Sequence, residues 1–155
     1  MVNPSAGGTE THGDPQSRLP DPVDTALRVR YGECDPQGIV FNANYLLYAD
    51  VAFTEFWRAT VGPWQEMVLA GFDAVVAEAN LRFRSSAIFD DELVLRTTAR
   101  GLGETSLRSD VAVRRGPETL VEIELRHVCI DVSSRAKAPW PGWIRERLSP
   151  PVGRS

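Results

Sequence analysis

YGECDPQGIVFNANY, residues 31–45, is the stretch from which the rest of this chain is read. Asp35 stands in a turn made by Pro36 and Gly38, directly after an alternating strand, and a helix-start signal follows at Asn42. Proline pre-sets the backbone of a turn and glycine relaxes it, so the strand must end here. A lone carboxylate facing a helix N-terminus can activate water beside a carbonyl polarised by unpaired backbone N–H groups. Such a site needs no metal, no nucleophilic serine and no catalytic histidine.

Upstream, Leu27, Val29 and Tyr31 alternate with Arg28 and Arg30, the pattern of a half-buried first strand. Downstream, Asn42 or Asn44 can cap a helix. From Ala43 to Thr60 that helix is apolar on most sides: Tyr45, Tyr48, Ala49, Ala52, Phe53, Phe56 and Trp57 cover a wide face. Asp50, Thr54 and Arg58 recur at a spacing of four and leave one narrow polar stripe. A helix this apolar is wrapped by other structure. Gly62 and Pro63 end it, and Trp64 to Ala70 suit a short second helix.

Four strands follow, divided by Asp90-Asp91, by Gly101 with Gly103, and by Gly116-Pro117. Val75, Ala77, Ala79, Leu81 and Phe83 are expected to share one face of the first. In the last, Val121, Ile123 and Leu125 keep one phase and Val128, Ile130 and Val132 the other, which predicts a β-bulge near Arg126-His127. Turn-linked strands pair antiparallel. The expected fold is therefore α+β, a five-stranded antiparallel sheet wrapped around one long central helix.

The chain has 155 residues, enough for one domain with its own core. Residues 1–24, rich in Pro, Gly, Ser, Thr and Asp, read as a disordered leader; residues 25–148 read as the domain and 149–155 as a flexible tail. The net charge is −4, and Glu10, Asp14, Asp21 and Asp24 against Arg18 place −3 of it in the leader. The remainder is nearly neutral, which argues against a nucleic-acid-binding face. Arg135, Lys137, Arg145, Arg147 and Arg154 make the C-terminal end basic, either as a solvated tail or as help for an anionic ligand. Cys34 and Cys129 have no metal or redox spacing and read as reduced thiols of a cytoplasmic protein. No apolar run is long enough for a membrane span or a signal peptide.

The motif, the helix after it, Gly62-Pro63-Trp64 and the later Phe89-to-Leu93 run FDDEL resemble the 4-hydroxybenzoyl-CoA thioesterase family of hot-dog-fold proteins, over roughly residues 25–133. The resemblance implies an acyl-thioester hydrolase without a cofactor, acting on an acyl-CoA, with an aromatic acyl group as the narrower reading. It puts the catalytic carboxylate on Asp35, and the carbonyl-polarising backbone at Asn42 with Ala43 opening the helix. It matches Asp50 and Trp64 to positions near the acyl pocket; with Phe41 and Tyr45 they form the candidate substrate-binding set. Some family members carry basic residues after the third strand that contact the nucleotide phosphates of CoA. Here that stretch is Gly103-Glu104-Thr105, so such contacts fall to Arg108, Arg126 or the basic C-terminal segment, or the thioester is carried by an acyl-carrier protein. A carrier-protein thioesterase of a polyketide-type pathway and a non-catalytic acyl-binding protein are the alternatives.

Asp35 alone would be an ordinary Asp-Pro turn residue. Asp50 could simply pair with Thr54, Trp64 could be a core aromatic, and Glu78 a surface charge. His127 is the only histidine inside the domain and reads as a strand residue at the bulge. Without a nucleophile elbow it makes no Ser-His-Asp triad, and the glycines at 101 and 103 lack the lysine of a P-loop. No His/Cys/Asp/Glu set has metal-ligand spacing. A rolled sheet leaves an edge strand, so a homodimer with the site at its interface is expected, with a homotetramer as the larger assembly.

Overall fold

Alternating strands and one unusually apolar helix produce the expected architecture in the computed structural model, which describes residues 18–149. The elements run β1 (Val23–Arg28), a single 3-10 turn (Tyr31–Glu33), α1 (Asn44–Thr60), α2 (Trp64–Leu69), β2 (Phe72–Phe83), β3 (Glu92–Leu102), β4 (Ser106–Arg115), β5 (Glu118–Asp131) and α3 (Gly142–Leu148). One antiparallel sheet has the order β1-β3-β4-β5-β2, so β1 and β2 are its edges.

Helix α1 lies in the hollow of the sheet. Tyr45, Tyr48, Ala49, Ala52, Phe53, Phe56 and Trp57 are all buried, the set expected from the sequence. Full burial of a large apolar side chain contributes roughly 1.5–3 kcal/mol, so this face dominates the cohesion of the domain. The helix ends at Gly62, whose φ of +130° is one that side-chain-bearing residues avoid and whose N–H reaches the Trp57 carbonyl at 3.0 Å.

The core falls into two clusters. One joins Tyr45, Tyr48 and Ala52 to Val29, Val40, Leu93, Leu95, Val111 and Ile123. The other joins Phe53, Phe56 and Trp57 to Met67, Leu107, Cys129, Trp140, Ile144 and Leu148. The C-terminal segment is thus a strap carrying α3, which the basic composition of that stretch concealed. Arg145 donates to the Gly103 carbonyl at 2.6 Å, and Arg147 to the Val61 carbonyl at 2.6 Å, near the C-terminal end of α1. Both guanidiniums serve the fold, so this part of the segment is not the solvated tail that one of the two readings expected.

Two further expectations change. The domain begins before residue 25: β1 starts at Val23, and Leu19 and Val23 pack against the second cluster. Residues 1–17 of the expected leader and 150–155 of the expected tail lie outside the described residues. The bulge is opposite its expected place, in β2 between Val76 and Glu78, against His127 and Arg126 of β5, whose own irregularity lies at Leu120. The phase change in β5 is real but needs no bulge there: His127 and Cys129 continue the inward face after Leu125, and Cys129 packs in the second cluster. In β2, consequently, Val75 does not share a face with Ala79 and Leu81, because the bulge inverts the phase between them.

Candidate active site

The motif folds as a tight hairpin that feeds straight into α1. The Phe41 N–H donates to the Glu33 carbonyl at 2.9 Å, Cys34 bridges Val40, and the Asp35 N–H donates to the Ile39 carbonyl at 2.9 Å. At the tip, the Gly38 N–H closes on the Asp35 carbonyl at 2.9 Å, with Gly38 at φ +79°. The Asp35 carboxylate accepts the Gln37 N–H on Oδ1 at 2.8 Å, an Asx turn, and has no other hydrogen bond among the described residues. Half-buried, it keeps one oxygen available.

The second arm reaches the helix at Asn42-Ala43. Neither asparagine caps the helix: the position before its first residue is Ala43, without a side-chain cap. The Asn44 amide donates instead to the Glu33 carbonyl at 2.8 Å. The N–H groups of Asn44, Tyr45 and Leu46 turn back to the carbonyls of Phe41, Asn42 and Ala43 at 2.9, 3.3 and 3.2 Å. Among the described residues, those of Asn42 and Ala43 have no acceptor. The helix therefore starts with two exposed, unpaired donors at its positive end.

The remaining candidates separate. Phe41 and Asp50 are exposed; Asp50 offers its backbone carbonyl to the Thr54 hydroxyl at 2.8 Å, so its carboxylate is not paired with Thr54. Tyr45 is buried, and its hydroxyl accepts the Ala87 N–H at 3.0 Å, tying the segment before β3 to the helix. Trp64 lies at the other end of α1, roughly 24 Å away along the axis at 1.5 Å per residue. Its indole N–H donates to Asp73 at 3.0 Å and its ring packs on Phe53 and Trp57. Within one protomer Trp64 is thus packed at the far end of α1 from Asp35, while Tyr45 lies in the first core cluster, which Cys34 also joins. Glu78 pairs with Arg126 at 3.1 Å on the outer face of the sheet, away from the hairpin.

Arg108 and Arg126 face each other across β4 and β5, beside a shallow cavity of about 350 Å³ that Arg100, Glu78, Asp110 and Glu124 also line. Its three guanidiniums are matched by three carboxylates, which cancels much of its pull on a phosphate. The Cys34 thiol makes only a long contact of 3.9 Å to the Arg30 carbonyl and packs against the first core cluster. Among the described residues no group of His, Cys, Asp and Glu could hold a metal ion, and no helix is long and apolar enough to cross a membrane.

Two acids emerge here that sequence reasoning missed. Glu33 is buried, and its carboxylate accepts the Arg30 N–H at 2.8 Å, the Arg30 guanidinium at 2.6 Å and the Tyr48 hydroxyl at 2.9 Å. Burial alone would raise its pKa, but those hydrogen bonds and the Arg30 charge together hold it below the ordinary value. Asp91, in the FDDEL run, accepts the Ile88 N–H at 2.9 Å and Arg115 at 2.7 Å. It fixes the turn that pairs with the hairpin through Ile39–Ile88 and through the Val40 N–H on the Ala87 carbonyl. The visible signal for Glu33 was its place inside the motif, three residues after an arginine.

Comparison with known proteins gives the family. Residues 29–148 match the thioesterase-like superfamily. The chain is 28% identical over 106 residues to the acyl-CoA thioester hydrolase YbgC of Escherichia coli, covering 68% of this chain and 79% of that one. It is 30% identical over 73 residues to the 4-hydroxybenzoyl-CoA thioesterase of Pseudomonas sp., covering 45% and 52%. Across its curated relatives the matched span runs from 50% to 88% of their length. A Thermus thermophilus protein described as hypothetical superposes with a TM-score of 0.77 at 28% identity, covering 83% of this chain and 95% of that one. With the model of the family matched from β1's end to α3, and the hairpin-to-helix site inside that span, the chain belongs to the thioesterase-like superfamily.

Proposed function

We propose that the protein hydrolyses acyl-CoA thioesters, with Asp35 and the backbone N–H groups of Asn42 and Ala43 as its reacting machinery. A thioester carbonyl is electrophilic and its thiolate leaves readily, so hydrolysis needs an activated oxygen and a home for the developing oxyanion. The two unpaired N–H groups supply the second; one such donor is typically worth about 10²–10³ in rate. The free Asp35 oxygen supplies the first, by taking a proton from water or by attacking the carbonyl to give a mixed anhydride that water then opens. In either route the acyl group ends as the carboxylic acid and CoA leaves as the thiol. The observation that carries this reading is one short hairpin bearing both a carboxylate with an oxygen to spare and two donors without acceptors.

Phe41, just before the helix start, and Asp50, two turns into α1, are both exposed and are the residues proposed to meet the acyl group. An aromatic acyl group with a hydroxyl suits the two in kind, one offering an apolar ring and the other a hydrogen-bond acceptor. The free edge of β2, exposing Val75, Val76 and Phe83, supports a homodimer that covers it. Two free thiols suit a reducing, cytoplasmic setting.

Release of CoA thiol from benzoyl-CoA, 4-hydroxybenzoyl-CoA and hexanoyl-CoA tests the proposal. Asn at position 35 keeps the Gln37 hydrogen bond yet can neither take a proton nor attack. Asp35→Asn should therefore lower kcat by at least about 10²-fold, in line with general-base contributions. Near-wild-type turnover by that variant would end this reading. The same acyl groups on a carrier protein decide between the two kinds of thioester.

A further inference from the structure

Resting on that reading of Asp35, the structure assigns Glu33 and Tyr48 a positioning role: together with Asn44 they hold the carboxylate-bearing hairpin in register with the helix donors.

The hydrogen bonds of Glu33 all go to the pieces that carry the chemistry. Its carboxylate takes the N–H and the guanidinium of Arg30, just ahead of the hairpin, and the Tyr48 hydroxyl, one turn into α1. Its backbone carbonyl takes the Phe41 N–H at 2.9 Å and the Asn44 amide at 2.8 Å. Phe41 and Asn44 are the two residues that bracket Asn42-Ala43, whose N–H groups are the free donors. Asp35 lies two residues beyond Glu33 on the same arm. One residue is thus bonded on both sides of the donor pair, to the helix that orients it, and in sequence to the acid that must face it.

The arrangement is expensive unless it has a purpose. A carboxylate left only 9% exposed is tolerable only when its acceptor sites are filled, and here both oxygens are. An apolar residue at 33 could not tie hairpin to helix by directional bonds. A misplacement of about 1 Å in a reacting group can cost about 10²-fold in rate.

The test uses the full chain and the best-hydrolysed of the three thioesters named above. Tyr48→Phe removes one hydroxyl from a fully buried ring and leaves the packing intact. It should lower kcat about ten- to hundred-fold with KM within about threefold and with little change in thermal midpoint. In the Asp35→Asn background, where the group being positioned no longer reacts, Tyr48→Phe should change the residual rate less than about twofold. Glu33→Gln, whose amide oxygen can keep the Arg30 N–H and Tyr48 bonds while its NH2 loses those from the Arg30 guanidinium, should also lower kcat with KM within about threefold, and serves if Tyr48→Phe does not fold. Unchanged kcat per folded molecule, or the same fold-loss in both backgrounds, overturns the positioning role and leaves the thioesterase reading standing. Wild-type turnover by Asp35→Asn alone removes the thioesterase reading and the positioning role with it.

Discussion

His127 stacks face to face on Phe53, with ring centroids 3.6 Å apart and planes 9° from parallel. The imidazole is 3% exposed, and its Nδ1 has no partner among the described residues. A histidine clamped between β5 and α1 in this way is held neutral, and burial pushes its pKa down to about 4.

That relationship predicts a pH dependence of stability. The unfolded chain protonates His127 near pH 6.5 and the folded chain only near 4, so between those values the unfolded state binds more protons. Stability is complete above about pH 6.5 and declines as pH falls towards 4. The full loss is at most about 3 kcal/mol at 1.36 kcal/mol per pKa unit. Chemical denaturation at pH 7.5, 6 and 4.5 should show this decline, and His127→Leu should flatten it over the same window. Glu33 and Asp91, whose pKa values are depressed, add a further loss at lower pH, below the ordinary carboxylate range.

Gly38 tests the hairpin tip. Its φ of +79° is a conformation that costs an L-residue roughly 1–2 kcal/mol, although nothing crowds the position of a Cβ. Gly38→Ala should lower unfolding free energy by about 1 kcal/mol and kcat by a larger factor than KM. Equal effects on kcat and KM would show that the tip does not aim Asp35.

Asp50 addresses acyl selection. A carboxylate accepting a substrate hydroxyl contributes about 1.5–3 kcal/mol. Asp50→Ala should therefore reduce the preference for 4-hydroxybenzoyl-CoA over benzoyl-CoA by at least about tenfold in kcat/KM, leaving hexanoyl-CoA little changed. A constant ratio would return Asp50 to the role of a solvated helix charge.

The free edge of β2 makes an association prediction. Val76, 48% exposed on an edge strand, should be covered in a dimer. Sedimentation velocity should show a species larger than a monomer, and Val76→Asp should weaken it by more than tenfold. A wild-type chain that sediments as a monomer at tens of micromolar would remove the expected interface.

The fold was legible where local pattern and tertiary need agree. The α1 face from Tyr45 to Trp57 was readable because a helix wrapped by a sheet needs apolar residues nearly all round. The bulge was misplaced because a phase change in β5 does not say which strand holds the extra residue; only the pairing of Val76 with His127 and Glu78 with Arg126 does. Strap and α3 were missed because Trp140, Ile144 and Leu148 sit among prolines and arginines that read as tail. At the site, Asp35 and the helix start were visible as a motif. Glu33 was not, because its importance lies in a partner, Tyr48, that approaches only when the helix folds back. The hydrogen bonds of Trp64 and Tyr45 were hidden for the same reason, since Asp73 and Ala87 reach them only in the folded chain.

Helix α1 is completed by two distant parts of the chain. Its site-bearing half rests on β1, the hairpin and the inner residues of β3, β4 and β5, all synthesised by Asp131. Its other half is closed by Trp140, Ile144 and Leu148, and Arg147 holds the carbonyl of Val61 from 86 residues downstream. On a ribosome that has just released Asp131, the proposed reacting groups already have their neighbours, while Phe56 and Trp57 still lack the cover of Trp140, Ile144 and Leu148. Emergence of the last segment is therefore the step that finishes covering this apolar cluster of the nascent domain. A stop codon within the strap would leave the hairpin and the helix start in place on a molecule prone to aggregate.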